Sequence, residues 1–339
     1  MDTKLFHTDD NEIAEAGEIL RNGGLVAFPT ETVYGLGASA FDSDAAKKIY
    51  AAKGRPSDNP LIVHICDKGQ IKDIAEEIPE SAKKVIDNFM PGPVTIILNK
   101  KSVVPNDVTA GLNTVAIRFP LHETAQKLIK AAGVPIAAPS ANLSGKPSPT
   151  KAKHVVKDMT GRIDAIIDGG ECNVGVESTI VDFTGEKPVI LRPGGVTYDD
   201  LKGIGLDVEI DKNILHSIAA DEVPKCPGMK YKHYAPNAEV TVVEGEKDAV
   251  QSKIKELLEQ TEGKVTGVLT MYGAVYDKAV MLSAGSTNKE YAKNLFAALR
   301  EFDELGVEVV FAEFSEKDGY GLAVKNRLYK AAAQRVIHV

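Results

Sequence analysis

Apolar positions along this chain recur in two registers, one helical and one extended, and the two alternate through most of its length. Behind Asp9 and Asp10, Ile13, Ala16, Gly17 and Leu20 fall at i, i+3, i+4 and i+7, one helix face entered through a capping residue. Asn22, Gly23 and Gly24 predict its end, because glycine accepts the left-handed conformation of a C-terminal cap. Residues 25–28 read as a short buried strand, broken at Pro29 into a polar, glycine-containing turn over 30–37. A helix starting near Asp42 or Asp44 turns Ala45, Ile49 and Ala52 inward and delivers Lys53 and Arg55 into a second break, 54–60. The apolar run 61–65 predicts another buried strand.

The pattern continues with helices over 68–77 and 80–89, a strand over 94–98, and a polar loop holding Pro105 and Gly111. A strand over 114–119 carries Arg118, and a helix over 123–132 leads into IAAPSANLSGKPSPT, a short strand breaking into a Ser, Pro and Gly loop. A helix over 151–159 and a strand over 165–167 precede two more strands in VESTIVDF and PVILRPGG. Strands and helices alternate without the strict βα repeat of a Rossmann sheet, so a mixed, twisted sheet flanked by helices is expected.

From 207 to 225 the chain turns polar and weakly patterned, the mark of a linker, and then carries the dense motif CPGMKYKHYAPN. A second unit follows, with strands over 240–243, 265–270, 279–282 and 307–311 and helices over 247–259 and 324–337. Thr287 with Glu290 predicts a capping box for a further helix ending near Leu305 and Gly306. This is the pattern of a small open parallel sheet. It contains neither GxGxxG nor GxxxxGK[ST], so nothing in it claims a nucleotide.

At 339 residues the chain is long enough for about two domains, and its apolar and charged shares, 43% and 26%, are those of an ordinary globular protein. The boundaries expected are 1–206, a linker over 207–237, and 238–339. A net charge of -8 gives no global positive field to draw in nucleic acid. Cys66, Cys172 and Cys226 are far apart and form no CxxC pair, so neither a zinc site nor a disulfide framework is indicated. The acidic start, MDTKLFHTDDNE, does not read as a signal peptide, and no apolar run approaches the roughly 20 residues a membrane span needs. A reducing, cytoplasmic setting is expected, with no membrane partner.

Chemistry concentrates in the breaks. In KGRPSDNP, Arg55 offers a planar fork suited to phosphate oxygens, Lys53 a mobile point charge and Asn59 an amide. Solvated capping of a helix C-terminus reads the same two cations equally well. TETVYGLG sets Thr30, Glu31, Thr32 and Tyr34 in a turn whose hydroxyls suit a small zwitterion or merely satisfy the backbone. His64 in its apolar strand reads as a core histidine or a ligand group. Arg118, between Ile117 and Phe119, needs a counter-charge from a protein carboxylate or a ligand, because unpaired burial is costly. Ser140, Asn142, Ser144 and Ser148 lie in a loop of the type that wraps phosphates, and Ser178 and Arg192 stand at strand ends. No Walker loop, Ser-His-Asp set, HExxH or carboxylate dyad is visible. Four cations, many hydroxyls and no evident nucleophile point to nucleotidyl transfer by positioning and charge neutralisation.

Taken in order, PTETVYGLG, KGRPSDNPLIVH, TVAIRFP, APSANLSG, VESTIVD, ILRPG and PGMKYKHYAP closely resemble the threonylcarbamoyl-AMP synthase family, in its long form. The resemblance implies a YrdC-like catalytic domain with a twisted mixed sheet, a linker, and a smaller C-terminal Rossmann-like α/β domain. It implies synthesis of threonylcarbamoyl-AMP from L-threonine, bicarbonate or CO2, and ATP with Mg2+, releasing pyrophosphate. The product would pass to a tRNA threonylcarbamoyl-transfer complex for N6-threonylcarbamoyladenosine formation, with a weak tRNA contact. Thr32, His64, Arg118 and Ser178 would hold threonine, Arg118 pairing its carboxylate. Arg55, Asn59, Thr114, Ala138 (through its backbone), Ser140, Asn142, Ser148, Arg192 and Tyr234 would hold ATP. Lys53 would lie on the phosphates. Lys53 and Arg55, taken as the catalytic pair, match the family's KxR signature, and Ser140 with Asn142 its SxN signature. Tyr234 would fold back over the nucleotide. By residue type, its segment with Met229, Tyr231 and His233 reads either as simple interdomain packing or, the favoured reading, as a lid that excludes water. No metal ligand or general base emerges from the sequence.

Two rivals stand beside this reading. A carbamoyl-adenylate-forming enzyme uses the same domain type but carries an acylphosphatase-like module and cysteine-rich zinc repeats, neither present here. An RNA-binding, translation-associated protein is disfavoured by the overall acidity and the lack of an aromatic-basic motif.

Overall fold

The computed structural model describes residues 2–215, 224–227, 233–261, 263–316 and 318–339. The chain divides into two compact units, Met1–Ser144 with Ser148–Asn173 and Glu177–Lys230, and Gly145–Pro147 with Val174–Val176 and Tyr231–Val339.

The strands of the first unit are β1 (Lys4–Phe6), β2 (Val26–Phe28), β3 (Gly35–Ser39), β4 (Ile62–His64), β5 (Val94–Asn99), β6 (Thr114–Arg118), β7 (Ile136–Ala138), β8 (Ala165–Ile167), β9 (Thr179–Asp182), β10 (Val189–Arg192) and β11 (Glu209–Ile210). They form one sheet in the order β1-β8-β2-β3-β7-β4-β6-β5-β9-β10-β11. Its pairings are mixed: β4 runs parallel to β6 and β5 parallel to β9, whereas β5 and β6, like β4 and β7, are antiparallel. The mixed sheet expected from the pattern is the one observed.

Among the helices, α1 (Asp10–Arg21) is capped by the Asp9 carboxylate and buries Ile13, Ala16, Gly17 and Leu20, the predicted face. It packs with α6 (Glu123–Ala132) over β1, β2, β7 and β8 in one apolar cluster. Each large aliphatic side chain removed from water there contributes about 1.5–3 kcal/mol. Gly17 is required by the approach of the two helices, since a Cβ on it would lie 2.7 Å from the Ala131 backbone. Between these helices come α2 (Ser43–Lys53), α3 (Ile71–Ile74), α4 (Glu80–Phe89) and α5 (Asn106–Thr109), and after them α7 (Ala152–Met159) and α8 (Tyr198–Gly203).

Three expectations change in this unit. The turn expected over 30–37 ends at Tyr34, because Gly35 and Gly37 belong to β3, paired antiparallel with β2. These glycines serve close packing rather than a turn: a Cβ on Gly37 would sit 2.7 Å from Ile136 Cγ2, and one on Gly35 3.0 Å from Phe28 Cζ. The helix expected over 68–77 is a 3-10 turn, Lys68–Gln70, followed by the single turn α3. The segment read as linker begins with β11, which pairs parallel with β10. The following stretch 216–223, and Met229 and Tyr231 of the lid motif, lie outside the described residues.

The second unit contains β12 (Glu239–Glu244), α9 (Lys247–Glu259), β13 (Thr266–Thr270), β14 (Val280–Ser283), α10 (Asn288–Glu304), β15 (Val309–Phe314), α11 (Gly321–Ala331) and β16 (Val336–His338). Its sheet, in the order β14-β13-β15-β12-β16, is parallel throughout. The Thr287–Glu290 capping box opens α10. The last helix is shorter than expected: Ala333 and Gln334 take φ of 49° and 66°, and the chain turns back to form β16 beside β12. Nothing in AAAQ signals that break, since alanine and glutamine are good helix formers.

Candidate active site

The site is built on three neighbouring strands. His64 on β4, Arg118 on β6 and Thr95 on β5 occupy matched positions across the ladders. Residues in matched register share a face, so a histidine, an arginine and a hydroxyl form one polar row in an apolar sheet. All three are buried. Glu31, in the turn after β2, supplies the counter-charge that Arg118 requires: its Oε2 lies 2.8 Å from Arg118 Nη2, with the two side chains 7% and 5% exposed.

His64 donates through Nδ1 to the Ile62 carbonyl at 2.9 Å and meets Phe28 edge-on. Burial, with Arg118 adding to it, pushes its pKa down to about 3, so the imidazole is neutral.

Ser178 extends the row. Its Oγ lies 2.8 Å from Thr95 Oγ1 and accepts from Arg192 Nη2 at 3.1 Å, while Arg192 Nε donates to the Ser178 carbonyl at 3.0 Å. Gly194 explains the RPGG turn, because a Cβ there would fall 2.3 Å from the Glu177 carbonyl oxygen. Ser148 Oγ donates to Glu177 Oε1 at 2.5 Å, which brings the loop after β7 to the segment before β9.

The turn before β3 is braced by one hydroxyl. Thr30 Oγ1 donates to the Val33 carbonyl at 2.6 Å and accepts from the amides of Thr32 and Val33. A hydroxyl has one proton, so in the 2.9 Å contact between Thr30 and Thr32 the donor is Thr32. The Thr32 oxygen is thereby turned into an acceptor for whatever lies beyond it.

Lys53 ends α2, where Gly54 at φ 60° reverses the chain. Its ammonium is buried rather than solvated, donating to the carbonyls of Ser140 at 2.5 Å and Asn142 at 2.6 Å. Ser140 Oγ donates to Asn142 Oδ1 at 2.5 Å, and the Ala141 amide donates to the Tyr34 carbonyl at 2.8 Å. The KxR and SxN signatures are therefore one joined structure. Arg55 Nη2 donates to the carbonyls of Asn59 and Pro60 at 3.1 and 3.2 Å. The Asn59 side chain is buried, and no group among the described residues bonds its amide nitrogen or oxygen.

Contacts thus run from Arg192 through Ser178 and Thr95 to the Arg118 rung, then through Glu31 and its turn to the 139–142 loop and Lys53. Three of the four cations belong to this network, and half-buried Arg55, two residues along the chain from Lys53, bonds the Asn59 and Pro60 carbonyls. Ala138 ends β7 inside this cluster. Thr114 opens β6 opposite Asn99, four rungs from Arg118 or about 13 Å at the rise of a strand, so only an extended ligand joins the two. Tyr234 belongs to the second unit, where at φ 64° its ring stacks on Phe296 at 5.1 Å with the Arg327 guanidinium at 5.8 Å. Sequence reasoning assigned no role to Thr95, Glu177 or the Glu31 carboxylate. A threonine in VTIIL is an ordinary strand residue, and only its register exposes it.

With this geometry in view, comparisons with known proteins agree. The family model described as "Telomere recombination" matches residues 18–194, and that described as "Threonylcarbamoyl-AMP synthase, C-terminal domain" matches 196–333. The threonylcarbamoyl-AMP synthase of Pyrococcus abyssi is 51% identical over 330 residues, 97% of this chain and 96% of the relative. The chain belongs to the threonylcarbamoyl-AMP synthase family. The Bacillus subtilis threonylcarbamoyl-AMP synthase is 49% identical over 340 residues, 99% of this chain and 97% of its own length. Among solved structures, P. abyssi Sua5 complexed with L-threonine superposes with a TM-score of 0.95 at 49% identity, covering 100% of both chains. The activity is accordingly that of a nucleotidyl-transferring threonylcarbamoyl-AMP synthase. No helix among the described residues is long and apolar enough to cross a membrane.

Proposed function

We propose that the first unit joins L-threonine, CO2 drawn from bicarbonate, and the Mg2+ complex of ATP into threonylcarbamoyl-AMP and pyrophosphate. The substrate amine adds to CO2, and the carbamate oxygen attacks the α-phosphorus while pyrophosphate leaves. Arg118 pairs the threonine carboxylate, Thr32 and Ser178 face the amino acid with their hydroxyls, and neutral His64 lines its side of the row. Arg55, Asn59, Thr114, Ser140, Asn142, Ser148 and Arg192, with the Ala138 backbone, take the nucleotide. Lys53 holds the SxN loop in place and lies toward the phosphates.

The observation that carries this reading is the buried contact network linking Arg192, Arg118 and Lys53, with Arg55 two residues along the chain from Lys53. A buried run of cations is stable where anions complete it, and a carboxylate, a carbamate and a triphosphate do so. The relative crystallised with L-threonine supports the amino acid. Among the described residues no group of three His, Cys, Asp or Glu side chains could hold a metal ion, so Mg2+ is assigned to the phosphates and water, its usual ligands. The product is a labile adenylate passed to a tRNA threonylcarbamoyl-transfer complex, with a weak tRNA contact, in the cytoplasm. The test is pyrophosphate release from ATP with threonine or bicarbonate withheld in turn. Release that ignores threonine removes the proposal.

A further inference from the structure

We infer that Glu31 receives the ammonium of the substrate, so that Glu31 and Arg118 form a two-pole receptor for an α-amino acid zwitterion. The inference rests on the threonine reading above and adds a specificity residue to it.

The Glu31–Arg118 pair is close but badly made as a structural salt bridge. Glu31 and Arg118 are 6% and 4% exposed, and Oε2 approaches Nη2 to 2.8 Å, yet that approach lacks hydrogen-bond alignment. Among the described residues neither Glu31 oxygen has a hydrogen-bond donor, and Arg118 Nε and Nη2 have no acceptor. Burial of an ion pair is offset only when the remaining lone pairs and protons are also satisfied, and an arginine–carboxylate pair selected for stability adopts the two-bond fork. Here two acceptors and two donors are buried side by side without partners.

Their chemistry identifies what completes them. The vacant groups are anionic acceptors on one side and cationic donors on the other. A zwitterion carries the matching set, a carboxylate and an ammonium attached to one carbon. The substrate carboxylate takes the Arg118 donors and the substrate ammonium takes the Glu31 oxygens, so each pole exchanges a poorly aligned partner for a bonded one. The turn supports this role. Thr30 braces the backbone on both sides of Glu31, and the Thr32 oxygen, an acceptor by the proton count above, stands one residue away. His122 Nδ1 is also buried without a partner among the described residues, a further polar group left for the ligand, since Glu31 and Arg118 both act on this ring.

The test is calorimetric titration with L-threonine and with 3-hydroxybutanoate, which keeps the carboxylate and hydroxyl but lacks the amine. The unmodified protein is expected to prefer threonine by about 10- to 100-fold, the range of one charge-assisted hydrogen-bonding group. Glu31→Gln keeps the shape and removes the charge, and is expected to reduce that preference below about threefold by weakening threonine alone. Two results overturn the inference: equal affinity of the unmodified protein for both compounds, which needs no variant to fold, or a Glu31→Gln protein with its preference intact. Failure of the unmodified protein to bind either compound instead overturns the threonine reading itself.

Discussion

Thr95 stands directly across the β5–β6 ladder from Arg118, and its hydroxyl lies 2.8 Å from that of Ser178. It joins the two halves of the cation network: Arg118 is its neighbour across one ladder, and Arg192 reaches it through Ser178.

Thr95→Val keeps the β-branched shape and deletes this link. Ser178 then loses one of its two side-chain partners, and the KM for threonine is expected to rise about tenfold, the worth of one hydrogen bond to a polarised group. Stability should change by no more than about 1–2 kcal/mol. Steady-state kinetics with urea unfolding checks both, and an unchanged KM would show that the bridge is only structural.

Arg118→Met strands the Glu31 carboxylate in a buried site. The expected loss is about 3–5 kcal/mol, the cost of removing one partner of a buried pair. Adding Glu31→Gln removes the stranded charge and should recover much of that stability without restoring threonine binding. Chemical denaturation of both variants reads the coupling, and additive losses would mean that the pair does not interact.

Lys53→Met fills similar space but withdraws the ammonium from the carbonyls of Ser140 and Asn142. The loop that carries the SxN residues loses its anchor. A displacement of about 1 Å there is enough to slow transfer roughly 100-fold. Pyrophosphate release should fall by that order, while the KM for threonine, whose contacts lie elsewhere in the network, moves much less. A parallel change in both constants would place Lys53 on the amino acid instead.

The folded protein holds His64 neutral down to a pKa of about 3, whereas an unfolded chain protonates it near 6.5. Below that upper value the unfolded state binds a proton that the native state refuses, so stability is full at neutral pH and declines as pH falls. By pH 4 this group alone costs roughly 3 kcal/mol. His122, held down by the same burial, acts in the same direction. Melting temperatures from pH 7 to 4 should fall less steeply for His64→Gln, and equal slopes would exclude the histidine as the cause.

Much of the fold was legible because it rests on periodicities confined to one stretch of chain. The α1 face, the Thr287–Glu290 capping box and the Gly54 reversal depend on residues within two turns of each other. The errors arose where a distant partner decides. Gly35 and Gly37 look like a turn until Phe28 and Ile136 pack onto them, and the final helix ends early because β12 offers an edge to β16.

Read without coordinates, the chain established its two-unit organisation, its mixed sheet beside a parallel one, its family motifs and the identity of the four cations, since all of these are carried by residue type and local spacing. Tertiary structure alone decided that Glu31 answers Arg118, that Thr95 lies between Arg118 and Ser178, and that Lys53 is tied to the SxN loop. Those relations depend on strand register and on contacts across 80 or more residues, and register is set by how whole sheets pack, which no local pattern encodes.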